Sequence, residues 1–272
     1  MPRRLLFVVA IVATLLAACG GTAKAPELTD PKEILAKTAS SLEGLKTVHI
    51  KASLTGKVDS GAMTGASGGL PIDLTGSSLE GDFDLADGEA KVAVTIPALL
   101  GFSADAIATG GQTYVKMSLN PDGKYHKVDT AALTGGLPLP SLPANIGSPD
   151  PSAAAALVAQ LQAELAKLAT PPTKLADEKI GDQDCYHVQL KVSSSDVPQA
   201  SAALGEGTVT VDVWSRKSDY RPARASIVVD AGADMTLSIT VDLTNYDAPV
   251  TVTAPPADQI SDEPFAIPGL TP

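Results

Sequence analysis

TVHIKASLTG, residues 47–56, alternates apolar and polar side chains with a period of two, and the pattern returns along most of the chain. Val48, Ile50, Ala52 and Leu54 would share one face of such a strand, with His49, Lys51, Ser53 and Thr55 on the other. Leu79, Gly81, Phe83 and Leu85 alternate next. Asp87-Gly88 then marks a tight turn, and Val92, Val94 and Ile96 alternate on the return. FSADAIATGGQTYVKMS repeats the arrangement around Gly110-Gly111, and NPDGKYHKVD adds a turn and a short strand through Tyr125 and Val128. In DQDCYHVQLKV, Tyr186, Val188, Leu190 and Val192 share one face, and Cys185, His187, Gln189 and Lys191 the other. Three further strands are expected around 207–216, 222–231 and 233–246.

Two segments have helical spacing instead. Ile34, Leu35, Thr38, Leu42 and Leu45 fall on one face after Asp30-Pro31, a good start signal. SAAAALVAQLQAELAKLA begins after Asp150-Pro151 and carries a stripe of Leu157, Leu161, Leu165 and Leu168. Between the strands lie a Gly- and Ser-rich stretch at 56–78, read as a long hairpin loop, and a breaker-rich crossing at 135–151 with five prolines. About ten or eleven antiparallel strands with two helices, and no βαβ alternation, indicate an α+β fold.

The N-terminus fixes the compartment. Arg3 and Arg4 precede an apolar stretch from Leu5 to Leu16, too short to span a bilayer core of about 30 Å. It fits the h-region of a secretory signal peptide. Leu16-Ala17-Ala18-Cys19 resembles the bacterial lipobox, which implies cleavage before Cys19 and a diacylglyceryl thioether on it. Two acyl chains anchor stably where one is marginal. The expected layout is a signal peptide at 1–18, a lipidated tether at 19–29, a folded domain at 30–255 and a Pro-rich tail at 256–272.

Composition excludes several functions. The chain has 272 residues and a net charge of −11, so its field does not attract nucleic-acid phosphates or anionic headgroups. Aromatic residues make up 4 %, which argues against stacking platforms for single strands. His49, His126 and His187 are the only histidines, and Cys185 with His187 offers two metal ligands where zinc needs three or four. Ser193-Ser194-Ser195 lacks a nucleophile elbow, and Gly61 to Gly69 lacks a phosphate-binding pattern. Asp82 and Asp84 share a wet strand face, where solvation accounts for them. No metal, cofactor or catalytic residue is expected. Cys185, left without a partner once Cys19 is lipidated, reads as a buried small apolar residue, with a reactive thiol as the alternative. The inner positions are small, including Ala52, Gly81 and Ala153 to Ala156. Both a cavity and a tight alanine-rich core are compatible with that.

The lipobox, the DPKEIL helix, TVHIKASLTG and the run VDVWSRKSDYRPARASIVV with LTNYDAPVTVTAPPADQI resemble the LppX/LprAFG lipoproteins over roughly residues 30–255. The resemblance implies one strongly curved antiparallel sheet, a half-barrel, covered by helices on its concave side with an apolar cavity between. It also implies a non-enzymatic role: binding lipid or glycolipid acyl chains and carrying or presenting them in the cell envelope. The partners would be the membrane, through Cys19 on its extracytoplasmic face, and a lipid transporter in that membrane. Strand parity and the helix stripe give the expected cavity wall as Val48, Ile50, Leu54, Phe83, Leu85, Val92, Val94, Ile96, Leu157 and Leu161. The competing reading is a structural or interaction lipoprotein of the cell surface with a solid core and no ligand.

Overall fold

The structure is a computed structural model, which describes residues 27–59, 71–128, 170–193, 207–231 and 236–263. The leader with Cys19, the proline-rich crossing, and the expected helix with Leu157 and Leu161 lie outside the described residues.

One helix, α1 (Pro31–Ser40), precedes the strands β1 (Thr47–Asp59), β2 (Pro71–Asp73), β3 (Ser77–Asp84), β4 (Glu89–Ile96), β5 (Phe102–Thr109), β6 (Gln112–Met117) and β7 (His126–Val128). After them come β8 (Thr173–Lys174), β9 (Glu178–Ile180), β10 (Gln183–Ser193), β11 (Thr208–Arg216), β12 (Pro222–Asp230) and β13 (Thr236–Thr244). A 3-10 turn follows at Ala257–Gln259.

All thirteen strands join one open sheet in the order β7-β6-β5-β4-β3-β1-β13-β12-β11-β10-β8, with β2 on β1 and β9 on β10. Every strand pairing is antiparallel. Two meanders make up the sheet: one runs outward from β1 to β7, the other inward from β8 to β13. The seam between them is β1 against β13, in unbroken register from His49 opposite Thr244 to Lys57 opposite Thr236. The chain therefore leaves the sheet at one edge after Val128 and returns at the other at Thr173.

The antiparallel sheet with few helices agrees with the α+β expectation, and the local details differ in four places. Helix α1 ends at Ser40 and not near Leu45, because Gly44 takes a left-handed turn (φ 71°) that folds Leu42 and Leu45 out of the helix. Leu85, expected to prolong the alternation of β3, falls in the following turn and is 41 % exposed. The Asp84 carboxylate accepts hydrogen bonds from the N–H groups of Ala86 and Asp87, both at 3.0 Å, and closes the strand one residue early. The stretch expected as a loop from 56 holds strand at both ends: β1 continues to Asp59, and β2 pairs back onto it. Part of the expected tail is tied down. Tyr125 bridges Ile260, with Tyr125 N–H donating to the Gln259 carbonyl at 2.8 Å.

Candidate functional site

In an antiparallel ladder, residues directly opposite one another point to the same face. The registers therefore trace one row across the sheet. Val188 faces Val213, then Ala225, Val241, Ala52, Leu79, Val94, Ala104 and Met117. Nine strands contribute, and every member is apolar. A parallel row runs Leu243, Ile50, Gly81, Val92, Ala106 and Val115. A third joins Leu190, Val211, Ile227, Ile239 and Leu54. One side of the sheet is thus a continuous apolar surface.

The other side is largely polar and paired across strands, apart from a buried apolar cluster of Ile107, Tyr114, Tyr125 and Val252. Lys51 opposes Glu80, Lys116 opposes Asp105 and Arg224 opposes Asp242, with N···O distances of 3.6, 3.4 and 2.6 Å. His49, on this face as its spacing implies, is half-buried and hydrogen-bonded to Asp82 at 2.8 Å. His187 lies 2.8 Å from Asp212 and 3.3 Å from Glu178 and stacks on Trp214, with ring centroids 4.3 Å apart. Cys185, also on this side by parity, is fully buried. Burial raises its thiol pKa, the Ile180 backbone and Arg216 offsetting it only in part, so it is held in the unreactive protonated form. Among the described residues no group of three or more His, Cys, Asp or Glu is arranged to hold a metal.

Burial along the first row is uneven. Val188 and Met117, at its two ends, are buried, whereas the seven residues between them are half-buried. Helix α1 closes the Val188 end. Ser215 shares the apolar face with Tyr186, its opposite neighbour, and the hydroxyls of Thr38 and Ser215 are 2.6 Å apart. Ile34 on the same helix is fully buried. At the far end Val115, Met117 and Val128 cluster with Phe102, Ala104 and Ala106. Among the described residues α1 is the one α-helix on the sheet.

Of the expected wall residues, Val48 is buried, and Ile50, Leu54, Phe83, Val92, Val94 and Ile96 are half-buried members of the apolar face. Opposition confirms the shared side: Val48 faces Phe83, and Ile96 faces Phe102. Leu85 is not among them. The sequence reading missed half of the surface. Val211, Val213, Ile227, Ile239 and Val241 belong to it, and their period-two spacing was the available signal. Two clefts border β5. One of about 200 Å³ is bounded by Lys91, Ile107, Tyr125 and Pro255; one of about 350 Å³ by Asp105, Lys116, Met117 and Asn120.

A corner fixes the ends of β1, β12 and β13. The Tyr246 hydroxyl donates to the Pro222 carbonyl at 2.6 Å, and the guanidinium groups of Arg216 and Arg221 lie 4.8 and 5.2 Å from its ring centroid. Arg221 is ion-paired with Asp247, which also accepts the Lys46 N–H at 3.0 Å. This is the RP…NYDAP segment that gives the C-terminal sequence its distinctive look.

The model of the LppX_LprAFG lipoproteins matches residues 30–252, most of the chain. The chain belongs to the LppX_LprAFG lipoprotein family. A curated member of similar sequence is the lipoarabinomannan carrier protein LprG of Mycolicibacterium smegmatis, 27 % identical over 258 residues that cover 94 % of this chain and 96 % of LprG. Two solved structures also align with this LppX_LprAFG protein. LprF from Mycobacterium bovis is 18 % identical, covers 83 % of this chain and 96 % of its own, and gives a TM-score of 0.49. LppX from Mycobacterium tuberculosis is 17 % identical over 82 % and 98 %, with a TM-score of 0.48.

Proposed function

We propose that this protein is a membrane-anchored extracytoplasmic lipoprotein that takes lipid or glycolipid acyl chains into an apolar cavity, and carries or presents them in the cell envelope. The carrying observation is the row from Val188 to Met117, apolar throughout and half-buried between two sealed ends. A solid core would bury such a row along its whole length.

In this reading the sheet is strongly curved, and the helix expected at 152–169 covers its concave side, adding Leu157 and Leu161 to the wall. The topology supports that path, since the chain passes from one edge of the sheet to the other between β7 and β8. Residues 1–18 are the signal peptide, 19–29 the tether, 30–255 the binding domain and 256–272 the tail. The diacylglyceryl group on Cys19 holds the domain at the cell membrane, and a lipid transporter in that membrane is the natural partner.

Binding needs no catalysis. Each CH₂ moved from water to the apolar face contributes about 0.8 kcal/mol, so an acyl chain supplies its own driving force. The small side chains Ala52, Ala104 and Ala106 leave depth for it. Titration with a fluorescent diacyl lipid tests the reading. Saturable binding, displaced by an unlabelled diacyl lipid, is expected; binding that never saturates would leave the face as a covered structural core.

A further inference from the structure

Three of the six exposed large apolar side chains among the described residues sit together at one end of the sheet. Leu100, in the turn between β4 and β5, is 98 % exposed; Leu99 beside it is 47 % exposed and Leu119, after β6, 45 %. Ser118 N–H donates to the Ser103 carbonyl at 2.8 Å, which puts Leu119 beside the base of that turn. The sequence from Ile96 to Ala104 has no charged residue, in a chain where 19 % are charged.

The turn is built, not slack. Leu99 N–H donates to the Ile96 carbonyl, Gly101 N–H to Pro97 and Phe102 N–H to Leu99, at 3.0 to 3.1 Å. Leu100 takes φ 55°, a left-handed conformation that suits glycine or asparagine far better than leucine. A leucine held against its backbone preference and pointed into solvent does nothing for the fold. Solubility also disfavours it.

From these features we infer that the β4–β5 tip is a membrane-docking element, whose Leu99 and Leu100 enter the acyl-chain boundary of the bilayer. A lipid surface is the occupant that fits uncharged leucines on a rigid, narrow projection, since apolar burial alone drives such insertion. Continuity supports it. Ile96 and Phe102, which flank the tip, oppose each other on the apolar face, so the leucines extend that face past the rim of the sheet. An acyl chain entering there passes from bilayer to protein without crossing water. This inference rests on the lipid-binding reading above and names the route by which its ligand arrives.

The test uses the intact chain reconstituted in vesicles of phosphatidylethanolamine and phosphatidylglycerol, with or without brominated acyl chains. An environment-sensitive fluorophore is placed at Leu100→Cys and, in a second protein, at Asp87→Cys, in the exposed turn at the opposite end of β4. Cys185 is buried and contributes little labelling. Leu100 makes room for the change because almost nothing covers it. The expected result is blue-shifted emission and loss of intensity with brominated lipid at Leu100→Cys, and neither at Asp87→Cys. Two outcomes overturn the proposal. One is equal behaviour at both sites. The other is a blue shift without bromine quenching, which would mean that a second copy of the chain covers the tip. Leu100→Gly gives an independent check: thermal stability should hold or rise, whereas a drop would assign the leucine to the fold. Lipids bound by the same preparation are assayed separately, so failure of tip insertion and failure of lipid binding are told apart.

Discussion

The hydroxyl groups of Thr38 and Ser215 lie 2.6 Å apart in a buried contact that fastens α1 to the apolar face of the sheet. Thr38 Oγ1 donates its proton to the Ile34 carbonyl at 2.8 Å, so Ser215 is the donor in the shared bond. Thr38→Val would strand the Ser215 hydroxyl without an acceptor at a fully buried position. The expected cost is about 1–3 kcal/mol of unfolding free energy. Thr38→Val with Ser215→Ala should recover part of it, because both polar groups are then gone. Denaturant midpoints of the four proteins of the cycle measure this.

Gly56 is the tightest point of the seam between the two meanders. Its φ is 121°, and a Cβ placed there would stand 2.0 Å from the Thr236 carbonyl oxygen. Gly56→Ala should destabilise by more than about 3 kcal/mol, because backbone must move on one side of the seam. Gly110→Ala has open space around it and φ 56°, so its cost should stay near 1 kcal/mol. Thermal melts of the two variants side by side check the contrast.

Acid should loosen the corner around Tyr246. The Lys46 backbone N–H, and after it Arg221, hold the Asp247 carboxyl below the ordinary aspartate value of 3.8. A depressed carboxyl stabilises the fold fully above the unfolded value and loses that contribution as pH falls through the folded one. Stability of the parent protein should therefore decline below about pH 4, and Asp247→Asn should decline less steeply there while being weaker at neutral pH. Denaturant midpoints at several pH values read both slopes.

Cys185 should behave as a core residue. Maleimide should modify it only after unfolding, because the thiol is inaccessible and burial disfavours the thiolate. Labelling rates in rising denaturant should follow the unfolding curve. Prompt labelling of the native protein would place the thiol in a working site instead.

The strands and their two faces were legible in the sequence because period-two alternation is a local property. Val48, Ile50, Phe83 and Val92 all lie on the face that their spacing assigns. The turns at Asp87-Gly88 and Gly110-Gly111 were equally local, since both glycines of the second adopt positive φ. What failed depended on competing side chains or on distance. Leu85 continued the alternation on paper, but the Asp84 carboxylate ended the strand first. No local signal announces that β13 returns to β1, almost two hundred residues earlier, or that Ile260 reaches Tyr125. Leu99 and Leu100 carry no mark in the sequence that sets them apart, and only the left-handed turn makes them a projection.

Native mass spectrometry of the protein purified from a lipid-containing host tests the lipid-binding account most directly. The account predicts extra mass that disappears on organic extraction and proves to be acyl lipid. It also predicts that Ala52→Trp, which fills the middle of the half-buried row, loses that mass while keeping a cooperative melt. A lipid-free mass that persists after incubation with membrane lipids would contradict the account and leave the apolar face as a structural core.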